Sequence, residues 1–86
     1  MCAVEYFASV EKEGLVSDHE AQRAADGRVN ISRLKVWAYS GLRPDSNLRS
    51  ILLVEPEVMT VGEFLARSST WLKIARLEEP RESKGA

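Results

Sequence analysis

The chain has 86 residues and a mass of 9.6 kDa, room for one small domain, since chains this short bury only about 60% of their unfolded surface. A composition of 44% hydrophobic and 29% charged residues at a net charge of −1 excludes a wholly disordered chain, and a single cysteine, Cys2, excludes an internal disulfide framework. No apolar run reaches the roughly 18 residues of a membrane span, and the opening MCAVEYFASVEKEG is broken by Glu5, Glu11, Lys12 and Glu13, so a cytoplasmic protein without a signal peptide is expected.

Ala3–Glu13 reads as a short helix with Val4, Phe7, Ala8 and Val10 on its apolar side and Gly14 as its stop. Ser17-Asp18-His19-Glu20 has the spacing of a capping box, and the helix it opens would run through Ala21, Ala24 and Ala25 to end before Gly27. Helices this short depend on tertiary packing rather than on propensity.

The middle of the chain supports two readings. Leu34, Val36 and Ala38 alternate with Arg33, Lys35, Trp37 and Tyr39, as in a half-buried strand. Gly41–Asn47 is rich in turn formers, and Ile51-Leu52-Leu53-Val54 has the character of a buried strand ended by Glu55-Pro56. Together these predict a β-hairpin with a long loop. Asn30 can equally cap a helix with Ile31, Leu34, Ala38 and Leu42 on its face. Ile31–Gly41 and Ser46–Val54 would then be two helices joined by a turn over Leu42–Asp45.

The last helix is the plainest element. Thr60 and Glu63 repeat the capping box, and Met59 can staple against Phe64 across it. Val61, Phe64, Leu65, Ser68, Trp71, Leu72 and Ala75 fall on one continuous face. The polar EEPRESKGA ending reads as a tail. The expected architecture is therefore α+β in the order α-α-β-β-α, a hairpin packed on a C-terminal amphipathic helix, with residues 1–77 as the domain and 78–86 as the tail.

No catalytic set is visible. His19 is the only histidine and has no ligand-like spacing to Cys2 or to a carboxylate cluster, so neither a metal nor another cofactor is expected. The five glycines are scattered and form no phosphate loop. Charge carries more information. Residues 1–27 hold six acids against Lys12 and Arg23, whereas residues 28–50 hold Arg28, Arg33, Lys35, Arg43 and Arg49 against Asp45. A basic middle with Trp37 and Tyr39 on the same strand face as Arg33 and Lys35 suggests a contact surface for an acidic protein, with Lys35, Trp37, Arg43 and Arg49 as its residues.

Leu34-Lys35-Val36-Trp37, Pro44, Leu48-Arg49-Ser50-Ile51-Leu52-Leu53 and the Thr60/Glu63 helix start resemble the opening of a Ras-association domain, a ubiquitin-like fold. The resemblance covers residues 34–67, and the chain lacks residues for the strands that such a domain carries after its helix. It implies edge-strand pairing with a small GTPase, with Lys35, Arg43 and Arg49 facing the acidic switch region. Two other classes stay open. One is a small regulatory subunit that completes its core in a homo-oligomer or larger assembly through the last helix. The other is a helix-turn-helix nucleic-acid binder, disfavoured by a pI near 5.8 and by Arg49 as the only cation on its recognition helix.

Overall fold

Residues 3–14, 21–24 and 26–79 are described by the structure, a computed structural model. In chain order they form α1 (Ala3–Glu13), β1 (Gln22–Arg23), β2 (Arg28–Asn30), α2 (Ser32–Gly41), α3 (Asn47–Val54), β3 (Val58–Thr60) and α4 (Val61–Glu78). The fold is α+β, with the strands in one antiparallel sheet of order β1-β2-β3.

The core begins where α1 meets α4. Phe7 and Val10 on α1 are buried, and Tyr6 beside them meets Phe7 edge-on at 5.0 Å. The Phe7 ring lies 5.6 Å from Trp71, which meets Phe64 edge-on at 6.0 Å. Such aromatic pairs each add about 0.5–1.5 kcal/mol beyond the area they bury. Ser69 donates to Glu11 near the end of α1, while Ala3 and Val4 at its start lie with Ala75 and Glu78. The two helices are therefore antiparallel. Gly14 stops α1 at a φ of +82°, as its place in the sequence predicts, and its N–H donates to Val10 at 2.8 Å.

The Thr60/Glu63 capping box forms in full. The Glu63 N–H donates to the Thr60 hydroxyl at 3.0 Å, and the Thr60 N–H donates to the Glu63 carboxylate at 2.9 Å. That second bond holds the Glu63 carboxyl below its ordinary pKa. Of the predicted face, Phe64, Ser68, Trp71, Leu72 and Ala75 are buried, and Met59 joins them in the core. Leu65 stands at its solvent edge.

Two predictions need correction. The helix expected through Ala21 and Ala24 is replaced by a hairpin, because Gln22–Arg23 pairs with Val29 and Asn30. Gly27 does adopt the left-handed conformation, at a φ of +85°, but it turns a hairpin rather than ending a helix. The Asp26 carboxylate fixes that turn by accepting from the Arg28 N–H at 3.1 Å and its Nε at 2.8 Å, which holds Asp26 below its ordinary pKa. The Ser17–Glu20 box, His19 and Cys2 lie outside the described residues, as do residues 80–86 of the predicted tail 78–86, of which Glu78 is the last residue of α4.

The second correction concerns residues 33–54, which are helical in both halves. The hairpin of this fold is β1–β2 instead, and the order is α-β-β-α-α-β-α. Leu34 and Ala38 are buried as a strand face would require, but Val36 between them is 67% exposed. Spacing of four, not two, decides the burial. Ile31, Leu34 and Ala38 make the inner face, and Asn30 accepts from the Ser32 N–H at 2.8 Å to open α2. In α3, Leu48 and Leu52 are buried while Val54 is 82% exposed, which a fully buried strand would not allow. The Ser46 hydroxyl caps it by accepting from the Arg49 N–H at 3.1 Å.

The helix pair is an insertion between two neighbouring strands. Asn30 pairs with Val58, so the chain leaves β2 for α2 beside the point where it returns from α3, and the Ile31 N–H donates to Glu57 at 2.8 Å. Only the inward faces of α2 and α3 are needed to close the core.

Candidate interaction surface

Three polar contacts fix the orientation of α2 and α3. The Lys35 ammonium donates to the backbone carbonyl of Glu55, the residue that caps α3, so a cation sits at the negative end of that helix. The Glu55 carboxylate is paired with Arg67 of α4. At the opposite end of α3, the Glu78 carboxylate receives the Ser46 hydroxyl at 2.7 Å and the Asn47 N–H at 2.7 Å. A negative group thus fills the positive end of α3.

What α2 and α3 present outward is mixed apolar and basic. Arg33, Val36 and Tyr39 are exposed at intervals of three and form one ridge of α2. Tyr39 is 66% exposed, and the guanidinium of Arg49 lies 4.8 Å from its ring centroid. That contact turns Arg49, and with it half-buried Leu53 one turn later, toward α2. Asn47, Ser50 and Val54 form the exposed ridge of α3.

The four residues expected at the contact surface divide. Arg49 stands on it. Its Nη1 reaches the Pro44 carbonyl only at 3.4 Å, and its Nε is buried without an acceptor among the described residues. Arg43 is exposed close by and forms a loose ion pair with Asp45 at 3.8 Å. Lys35 is half-buried and occupied at the end of α3. Trp37, two positions from Lys35, faces the other side of α2 and packs on the core, with its indole against Gly41. The shared strand face of Lys35, Trp37 and Tyr39 does not exist, because a helix sends neighbours two apart in different directions.

Val36 and Val54 were missed by sequence reasoning as surface residues. Their signal is apolar character out of step with the helical period of Leu34/Ala38 and Leu48/Leu52. Among the described residues, no three His, Cys, Asp or Glu side chains cluster as metal ligands, and no helix is long and apolar enough to cross a membrane. Comparison with known proteins finds no match, whether with family models, curated proteins or solved structures.

Proposed function

We propose that this chain is a non-catalytic docking domain that engages an acidic protein partner through the outward face of α2 and α3. The observation that carries this reading is the exposed Tyr39 with the Arg49 guanidinium over its ring, on helices that also expose the apolar side chains of Val36 and Val54. Tyrosine and arginine are enriched among residues that dominate binding energy, and exposed apolar neighbours exclude water around them. The edge-strand pairing with a small GTPase has no strand at 34–39 or 48–53 to use. A GTPase partner that used Lys35, Arg43 and Arg49 would have to dock on α2, α3 and the turn between them.

A nucleic-acid reading is favoured by the helix pair α2–α3 joined by the short turn Leu42–Ser46. Its electrostatics oppose it. Glu78 occupies the N-terminus of α3, where a phosphate would sit, and Asp45 lies just before it. The outward residues of α3 include Val54 and Ser50 rather than a row of cations.

Site-specific photo-crosslinking tests the two readings together. A photoreactive residue at Val36, in cells that make the protein, is expected to give discrete protein adducts absent from the same probe at exposed Glu11 on α1. Equal labelling from both positions, or adducts to nucleic acid, would overturn the docking reading. A labelled mixed-sequence DNA duplex should show no tight, steeply salt-dependent binding.

A further inference from the structure

Arg49 differs from Arg28, Arg67 and Lys35 in what it would lose on binding a ligand. Arg28 is paired with Asp26, Arg67 with Glu55, and Lys35 holds the Glu55 carbonyl. Arg49 has no carboxylate within ion-pair distance among the described residues, one long bond to Pro44, and an Nε without an acceptor. Its remaining partner is the face of Tyr39. A guanidinium in that state can take a carboxylate at its Nη end, with the buried Nε out of reach, and needs no competing ion pair broken.

The surroundings specify more than a single charge. Arg33, Val36 and Tyr39 are exposed on α2, Asn47, Ser50 and Val54 are exposed on α3, and the Arg49 guanidinium over the Tyr39 ring joins the two helices. Val36 and Tyr39 on one side of α2, with Arg33 one turn before Val36, Arg49 on the Tyr39 ring and Arg43 beside the Pro44 that Arg49 reaches, match a segment that carries apolar residues and acids on one side. Main-chain pairing is not offered by two helices, so the fitting segment is an amphipathic helix that contributes side chains. A symmetric second copy is a poor fit, because a two-fold axis through this face opposes its arginines to one another.

We infer, resting on the docking reading above, that the Tyr39–Arg49 pair receives an acidic amphipathic helix of the partner. Its carboxylate takes the Nη end of Arg49, and its apolar side covers Val36 and Tyr39. The probe is a displayed library of random helix-length peptides, panned on the full chain. Selected peptides are expected to carry Asp or Glu beside apolar residues spaced three and four apart. Their affinity should fall at least about tenfold in Arg49→Ala and in Tyr39→Ala, the range of an interface hot spot. Arg49→Lys, which keeps charge but loses the planar fork, should restore part of it. Circular dichroism establishes that each variant is folded, and Val36→Asp gives an independent repulsive variant on the same face.

Selection of basic or neutral peptides, of peptides indifferent to both alanine variants, or of none, overturns the inference. So does concentration-dependent self-association abolished by Tyr39→Ala, which would assign the face to a second copy. Crosslinks from position 36 without acidic peptide ligands would leave the docking reading standing while this inference falls.

Discussion

The α1–α4 half and the α2–α3 half of this domain are built by different means. In the first, Phe7, Phe64 and Trp71 meet in a buried aromatic cluster, and Tyr6 closes it at the edge. In the second, the inward residues Leu34, Ala38, Leu48 and Leu52 are mostly smaller, and the helix ends are tied by Lys35, Ser46 and Glu78. The outward side keeps Val36, Tyr39 and Val54 in water. One half spends its large side chains on closure. The other is positioned by polar contacts and leaves apolar side chains free to contact something else.

The largest expected effect breaks the closed half. Trp71→Ala removes the side chain that joins α1 to α4 and should cost about 3–5 kcal/mol. A domain of this length has a total stability of roughly 4–13 kcal/mol. Urea denaturation followed by circular dichroism should therefore give a midpoint lowered by about 1 M or more, the loss divided by a urea m-value of about 1–3 kcal/mol/M. A shift of only a few tenths of a molar would show that the aromatic cluster is not what closes the fold.

The open half should respond more mildly. Ser46→Ala removes the hydroxyl that caps α3 and also the donor to Glu78, at an expected cost of about 0.5–2 kcal/mol. Hydrogen exchange should place the loss in α3 amides, with α1 and α4 protected as before. If protection fell equally everywhere, α2–α3 would be as integral to the core as the aromatic cluster, and the contrast between the halves would disappear.

Acid should act at the start of α4 and in the β1–β2 hairpin, outside the α2–α3 half. Asp26 and Glu63 have carboxyls held below their ordinary pKa, Asp26 first by the Arg28 N–H and then by its guanidinium, Glu63 first by the Thr60 N–H. A depressed carboxyl stabilises the folded state above its unfolded pKa, and that contribution disappears as pH falls through the folded one. The hairpin turn and the first turn of α4 should thus loosen below about pH 4. A carboxyl-detected NMR titration in which Glu63 is not depressed would remove the capping box from this account. Glu63→Gln should abolish the α4 part of the acid dependence.

The two halves were also unequally legible in the sequence. The α4 face could be read because Phe64, Trp71, Leu72 and Ala75 repeat the helical period over about three turns behind an unmistakable cap. In α2 the apolar residues Leu34, Val36 and Ala38 fit both periods, and burial alone separates them. Val36 is an apolar residue kept on the surface, so it mimics the missing member of a strand face. The apolar run ending α3 misleads in the same way through Val54. The surface that makes these elements hard to assign is the surface proposed to bind. The Glu78 contact was illegible for another reason: it joins positions more than thirty residues apart.

The smallest expected effect on stability is the one that most sharpens the contrast. Tyr39→Ala removes an exposed ring that carries the Arg49 guanidinium, a pairing worth about 0.5–1 kcal/mol at an exposed site. Loss of a side chain already in water adds little, so denaturation midpoints should move by less than a few tenths of the Trp71→Ala shift. The same substitution should remove most binding to the partner helix, because an aromatic anchor gains its energy when the interface desolvates it. Stability and binding are thereby separated at one residue. A destabilisation of about 2 kcal/mol or more, the scale of large core truncations, would instead make Tyr39 a structural residue that packs α2 against α3 through Arg49. The outward face would then belong to the fold rather than to a partner.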